Sequence, residues 1–377
     1  MRVLRVSHSA VVSEYRWRER LLRARGHDVH TVVPPAFTEG GSLVHATADP
    51  DVPLHVVDAH GPRRPNLFWF DVAQLRRVIR EVRPEIVDIH EEPYAAVTAS
   101  VLWAMRRERL EVPFCLYTAQ NIVDRDYPPP FSRIETRALS GAAAAFPCSA
   151  GGGERLRRRG YRGPIHVIGL GVNPISRAVL AKRLAAAAAD PGATQRVGFV
   201  GRLEGYKGGL MAVRAFAEAG AGRNAVLEMI GDGPEAGAIR EEARRLGVAD
   251  RVNLLGALSQ EETLQRLDGL EVILMPSLST PSWKEQYGRV AAQAMAHGAA
   301  VIAFDSGALG EVVADAGLLV PEGDVDGMAS ALAGLLREPA RMAQLQRAGR
   351  DRAAAELSWA SVTARVEVMY QQAWLRR

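Results

Sequence analysis

The chain has 377 residues, 47% of them hydrophobic and 24% charged, with a formal net charge of +4. That length accommodates two domains, and the composition is that of a globular protein with no low-complexity tract beyond the alanines of 185–189, which excludes fibrous and disordered classes. No apolar run approaches the roughly 20 residues that span a bilayer, residues 1–8 read as a buried strand instead of a secretory signal core, and Cys115 and Cys148 read as buried reduced thiols, so a cytoplasmic setting is expected.

In chain order, strand-like apolar runs fall at 3–7, 27–33, 54–57, 86–90, 114–118 and 143–148, with helical spacing of apolar residues between them at 14–25, 71–82, 95–107 and 153–159. This alternation is the rhythm of a parallel sheet with helices on both faces. Strand signals stop at 173–194, an Ala-rich stretch bounded by Pro and Gly that is expected to be a linker. Alternation resumes at 196–200, 227–230, 252–255, 272–275 and 300–304, and after Asp324 the pattern turns helical, ending in a helix at 359–374. The expected class is α/β: two doubly wound, Rossmann-like parallel-sheet domains at 1–172 and 195–356, then a last helical segment at 357–377. Ligands of open parallel sheets bind outside the carboxyl ends of the strands, so function is expected in a cleft between the two domains. The arginine clusters at 16–25 and 155–162 read as solvated helix faces, with an anionic membrane or phosphorylated acceptor as the minority reading. No zinc-finger spacing or aromatic RNA-binding signature accompanies them, so nucleic acid is not an expected partner.

Residues 197–208 read V-G-F-V-G-R-L-E-G-Y-K-G. A strand, Gly201, and then Arg202 and Lys207 on a loop entering a helix place two cations and free N–H groups around one anion, the layout of a diphosphate site. Of 47 basic residues only Lys182, Lys207 and Lys284 are lysines. An ammonium kept at 207 points to a demand that a planar guanidinium meets less well; a solvated lysine in a turn is an equal reading. The run 280–295, T-P-S-W-K-E-Q-Y-G-R-V-A-A-Q-A-M, puts Glu285 before a helix and Gln293 two turns inside it. Eight residues at helical rise span about 12 Å, the reach from ribose to hexose in a sugar nucleotide whose diphosphate sits at the helix N-terminus.

G-R-L-x-x-x-K-G, I-G-D-G-P, E-Q-Y-G-R-V-x-x-Q-A-M-A-x-G and D-S-G-x-x-x-E-V-V, in this order over 197–320, resemble the C-terminal half of retaining glycosyltransferases of family 4, which have the GT-B fold. The resemblance implies that the last helix crosses back onto the first domain. It implies that Glu285 bonds donor-sugar hydroxyls, that the backbone at Gln286, Tyr287, Gly288 and Arg289 approaches sugar and phosphate, and that Gly201, Arg202 and Lys207 hold the diphosphate. Gln293 stands where the family usually has a glutamate on the ribose. His90, in I-H-E-E-P, resembles a histidine beside the transferred sugar; read alone it is a strand-end histidine bonded to backbone. The catalytic set is thus His90, Glu285, Arg202 and Lys207, with same-face attack by the acceptor and the departing phosphate able to take its proton.

Acceptor contacts belong to the first domain: His8 and Ser9 after the first strand, Asn121 after a later one, and Phe68 and Trp69 in the loop 63–71, for which half-buried packing is an equal reading. His8-Ser9-Ala10 departs from the glycine-rich loop of many relatives. D-R-D at 124–126 and D-V-D at 324–326 read as surface loops, so no metal and no other cofactor is expected. Gly231, Gly233 and Gly237 come close to a dinucleotide fingerprint with the third glycine one position late, which makes an NAD enzyme a weak alternative. The expected function is metal-independent, retaining transfer from a nucleoside diphosphate sugar, uridine-linked ahead of guanosine-linked, to a small-molecule, glycan or lipid-linked acceptor. A non-catalytic sugar-nucleotide binding protein or an epimerase-like enzyme of the same fold is the alternative, raised by Gln293.

Overall fold

A computed structural model of the chain describes residues 1–39, 42–190, 192–219 and 224–376. It separates into two compact units, Met1–Gly171 with Trp359–Arg377, and Val172–Ser358.

The first unit holds β1 (Arg2–Val6), β2 (Asp28–Val33), β3 (Ala36–Glu39), β4 (Ser42–His45), β5 (Leu54–Val56), β6 (Ala59–His60), β7 (Trp69–Phe70), β8 (Ile86–Ile89), β9 (Phe114–Thr118) and β10 (Ala144–Pro147). Six of them form a parallel sheet in the order β10-β9-β8-β1-β2-β5. These strands are near-continuous apolar runs because both faces are covered. Leu4, Val6, Val87 and Ile89 pack into one core, and Val3, Ile86, Cys115 and Phe146 into another on the opposite face. Two antiparallel ribbons, β3–β4 and β6–β7, interrupt the alternation. Their strands of two to four residues are too short to leave a periodic signal.

The helix Trp359–Leu375 belongs to this unit and buries Val362, Val366, Met369 and Tyr370 against Val3, Leu22, Ile86 and Phe146. Among the described residues no helix is long and apolar enough to cross a membrane.

The second unit repeats the pattern with β11 (Gln195–Val200), β12 (Ala225–Ile230), β13 (Val252–Gly256), β14 (Val272–Met275), β15 (Ala300–Phe304) and β16 (Leu318–Val320). Their order is β13-β12-β11-β14-β15-β16, all parallel. In both sheets the strand order reverses beside the first strand, between β1 and β8 and between β11 and β14. That reversal is where open α/β sheets leave a crevice for ligands.

Two expectations are corrected here. The stretch 173–194 carries the helix Arg177–Ala189, capped by the Ser176 hydroxyl, with Leu180 buried and Arg183 donating to the His297 carbonyl at 2.6 Å. Its alanines are the strongest helix formers, and the helix belongs to the second unit.

The arginine clusters are solvated faces only in part: Arg25, Arg157, Arg158 and Arg162 are exposed, whereas Arg16, Arg18 and Arg155 are buried. Arg16 donates to the carbonyls of Ala10, Val11 and Thr47 and meets Asp49. Arg18 meets Glu19 at 2.8 Å and Asp88 at 2.7 Å, Arg5 meets Glu19 at 2.8 Å, and the Tyr370 hydroxyl donates to Asp88 at 2.5 Å. Burial alone would raise the Glu19 carboxyl, but Arg5 and Arg18 more than offset it and hold it below the ordinary glutamate range. Arg155 pairs with buried Glu135 at 2.6 Å, its guanidinium over the rings of Tyr94 and Tyr127. The acids that draw these arginines inward are mostly remote in sequence, so helical spacing alone misplaced them.

Candidate active site

In the second unit, β11 and β14 lie side by side at the strand-order reversal, with Gly198 opposite Ile273. Gly201 and the turn Gly205–Lys207 follow β11. This turn is pressed against the exit of β14: the Leu278 N–H donates to the Tyr206 carbonyl at 2.8 Å. Gly208 has φ +73°, and a Cβ there would lie 2.1 Å from the Pro276 carbonyl oxygen. Only glycine permits that approach.

The approach delivers Lys207 to Glu285. Its Nζ lies 2.7 Å from Glu285 Oε2, the Ser277 hydroxyl donates to the same oxygen at 3.2 Å, and the ammonium sits 4.5 Å from the centroid of the Trp283 ring. Glu285 is buried, and its own carbonyl accepts from the Ala308 N–H at 2.9 Å beyond the positive-φ Gly307. Lys207, Glu285 and Ser277 line one cavity of about 140 Å³ with Gly201, Gly288 and Arg289. Arg289 opens the helix Arg289–Ala296, so the N-terminal end of that helix lies at the cavity wall.

Three expectations change. Gly288 is required by its own φ of +87° and by Leu309, whose Cδ2 would lie 2.7 Å from an added Cβ, before any ligand is considered. The helix starts only at Arg289, so Gln293 lies little more than one turn inside it and the helical-rise arithmetic does not set its distance from Glu285. Arg202 is 58% exposed and does not line the cavity. It pairs with Glu204 at 2.9 Å and donates to the hydroxyl of Tyr206, whose phenol burial pushes up to about 12. Gln286 is exposed and Tyr287 buried, while Gln293 is half-buried.

Gly231 and Gly233 have φ of +139° and +157°, and Cβ atoms there would lie 1.9 Å and 2.5 Å from the carbonyl oxygens of Gly201 and Leu203. They let the β12 exit lie on the β11 exit, which accounts for two of the three fingerprint glycines through backbone packing.

In the first unit the reversal lies between β1 and β8, whose register pairs Val6 with Ile89. Two residues further along each chain, His8 comes beside Glu91. The His8 N–H donates to Glu91 Oε1 at 2.6 Å, and His8 Nδ1 lies 2.8 Å and 2.7 Å from the two carboxylate oxygens. The His8 ring lies 4.4 Å from Phe37 and 5.6 Å from Phe68. His90 continues the ladder by donating its N–H to the Val6 carbonyl, and its ring stacks on Tyr117 at 4.0 Å. Glu92 accepts from the Thr118 hydroxyl and the Ala119 and Gln120 N–H groups, and burial pushes its carboxyl above the usual range. Asn121 is buried just beyond. Ser9 shares a hydroxyl contact with Ser7 at 3.0 Å.

The two aromatics of the loop 63–71 part company. Phe68 is core, packed on Phe37 and Phe70, whereas Trp69 is 43% exposed. Asp124 and Asp126 pair with Arg158 and Arg159, and Asp324 accepts from the Gly327 N–H as a helix cap. Sequence reasoning gave Glu91 and Glu92 no part in the site. The signal that reveals Glu91 is the neighbourhood of the two strands: residues equally far past the ends of paired parallel strands meet.

Residues 19–175 match the family model described as Glycosyltransferase Family 4, and residues 194–338 match the one described as Glycosyl transferases group 1. A 2-deoxystreptamine glucosyltransferase of Streptomyces kanamyceticus is 35% identical over 158 residues, 41% of this chain and 40% of that protein. The chain thus spans less than half the length of that curated relative. Among solved structures, a sucrose-phosphate synthase from Thermosynechococcus elongatus superimposes with a TM-score of 0.74 at 21% identity, covering 100% of this chain and 99% of the other. HepE of Anabaena, in complex with UDP, superimposes with a TM-score of 0.71 at 15% identity, covering 98% and 99%. At these identities the likeness is one of fold.

Proposed function

Because the chain belongs to the glycosyl transferases of group 1 and family 4, with the two Rossmann-like domains of the GT-B fold, we propose that it moves a sugar from a nucleoside diphosphate sugar to an acceptor hydroxyl with retention of configuration and without a metal. The observation that carries this reading is Lys207 and Glu285 held 2.7 Å apart in a cavity at the strand-order reversal and at the start of a helix. Charge develops on the departing diphosphate as the glycosidic bond breaks, and a preorganised ammonium with helix N–H groups stabilises it. Glu285 accepts from hydroxyls of the transferred sugar, which requires the ammonium to turn from carboxylate to phosphate when the donor enters. Arg202, held outside the cavity by Glu204 and Tyr206, joins the diphosphate by rotating about its own side chain. His90 and Glu285 orient the hexose, and Gln293 meets the ribose.

A uridine-linked donor is favoured by the fold likeness to HepE with UDP, and the relative named above makes 2-deoxystreptamine the first acceptor to try. The test is release of free nucleotide from UDP-glucose, UDP-N-acetylglucosamine and GDP-mannose, with and without 2-deoxystreptamine and a panel of polyols and sugar phosphates, in excess EDTA. Turnover that is acceptor-dependent, EDTA-resistant and gives the donor's anomeric configuration by NMR supports the reading. Loss restored by Mg²⁺ or Mn²⁺ overturns metal independence, and an inverted product overturns retention.

The second reading is a sugar-nucleotide binding protein or an epimerase-like enzyme, which rests on Gln293 standing where the family usually has glutamate. Tight donor binding with no turnover across that panel decides for it.

A further inference from the structure

We propose that Trp283 is the residue that positions Lys207 before the donor arrives: its ring holds the ammonium beside Glu285, and a diphosphate binds only by breaking that hold. The inference rests on the glycosyl-transfer reading, in which Lys207 turns from carboxylate to phosphate, and assigns to Trp283 part of what the turn costs.

The Lys207 ammonium lies 2.7 Å from Glu285 Oε2 and 4.5 Å from the centroid of the Trp283 ring. A cation over an indole face is attracted by the ring quadrupole, more strongly where water is kept away, and the Lys207 side chain is only 20% exposed. The ring is fixed from two directions. Thr280 and Trp283 close a four-residue turn, in which the Thr280 N–H donates to the Trp283 carbonyl at 2.7 Å and the Trp283 N–H donates to the Thr280 hydroxyl at 2.9 Å. Tyr206, the residue before Lys207, sets its own ring 4.3 Å from that of Trp283. The segment that carries the ammonium and the segment that carries the carboxylate are thus joined by a ring from each.

This arrangement also accounts for a lysine at 207 in a chain that uses arginine almost everywhere. A guanidinium stacks flat on an indole and forks onto a carboxylate, so it would stay with Trp283 and Glu285. An ammonium is a point charge on a flexible stem, held firmly enough to be placed and loosely enough to be released to a phosphate.

The test reads UDP affinity by calorimetry. Trp283→Leu removes the ring face and keeps the turn, which Thr280 and the backbone hold, so UDP binds about two- to fivefold more tightly. A ring that walled the cavity or stacked on the nucleotide gives the opposite sign when removed. Trp283→Phe, which keeps a weaker face, falls between the parent and Trp283→Leu. In a Lys207→Met background, with no ammonium to hold, Trp283→Leu leaves UDP affinity within about 1.5-fold. In a Lys207→Arg background it raises affinity by more than in the parent, because the guanidinium is held harder.

Should urea denaturation show Trp283→Leu unfolded, Trp283→Met, long and without an aromatic face, carries the same comparison. Unchanged or weaker UDP binding in the ring-free variant, or an equal gain in the Lys207→Met background, overturns the proposal. A parent that binds no UDP defeats the glycosyl-transfer reading instead; a parent that binds UDP while its Trp283 variants bind no more tightly defeats the hold alone.

Discussion

The two units build the same six-stranded order, with the reversal beside the first strand, yet they furnish that edge differently. The second sets an ammonium against a carboxylate at a helix start, Lys207 with Glu285, and lines a cavity with them. The first sets an imidazole against a carboxylate among aromatic rings, His8 with Glu91 beside Phe37 and Phe68. Topology chooses the place, and the residues after each strand choose the side chains set there: an ammonium–carboxylate pair in one unit, an imidazole–carboxylate pair in the other.

The largest effect expected from breaking this contrast is on folding. Arg18→Ala removes the cation from Asp88 and Glu19 beneath the first sheet and leaves buried charge uncompensated, with a cost of about 3–5 kcal/mol. Urea denaturation should show it in the first unit alone, leaving nucleotide-induced stabilisation of the second intact. Loss of that stabilisation as well makes the units one cooperative block.

Next comes Lys207→Ala, expected to lower kcat/KM by about 100- to 1,000-fold, roughly 2.7–4 kcal/mol, with a smaller loss of UDP affinity. Lys207→Arg should be impaired too, since a planar fork cannot replace a point charge between Glu285 and phosphate; a fully active arginine variant refutes the argument from lysine usage.

Glu285→Gln should reduce turnover about tenfold, consistent with the difference between hydrogen bonds to a charged and a neutral acceptor, and leave affinity for bare UDP largely unchanged. Equal loss of affinity for UDP and UDP-glucose would move this residue from sugar to nucleotide.

A pH effect follows from Glu19. Its folded carboxyl titrates below the ordinary glutamate range, so its stabilisation is present at neutral pH and is lost as pH falls through the ordinary range toward the depressed folded value. Glu19→Gln should flatten the fall in urea midpoint on acidification, and an unchanged slope assigns the acid lability to other groups.

The smallest effect is expected at Gln293. Gln293→Glu should favour ribo- over 2'-deoxyribonucleotide donors by several-fold, because a carboxylate accepts from both hydroxyls where an amide offers one oxygen. Unchanged preference means the side chain only packs.

The parallel strands were legible because each is a continuous apolar run, and Lys207 and Glu285 stood out because each lies in a compact motif just after a strand, whose exits the sheet order brings together. The position of Arg202 outside the cavity was not legible, because it is set by Glu204 and Tyr206, local partners that the motif spacing does not reveal. Glu91 was invisible as a partner since its role depends on β8 lying beside β1, a fact of sheet order and not of spacing. The buried arginines were missed for the same reason: Arg18 finds Asp88 70 residues away and Arg155 finds Glu135 20 residues back.

The phenol of Tyr370 closes on Asp88 across 282 residues of chain. During synthesis the second unit emerges as one unbroken stretch, Val172–Ser358, and has all its strands as soon as that stretch is out. The first unit has all its strands earlier but not the helix Trp359–Leu375, so Asp88 waits beneath an uncovered face until that helix leaves the ribosome. The unit begun first is therefore finished last, and a nascent chain halted before residue 359 presents a completed second unit beside a first whose apolar face is still open to chaperones.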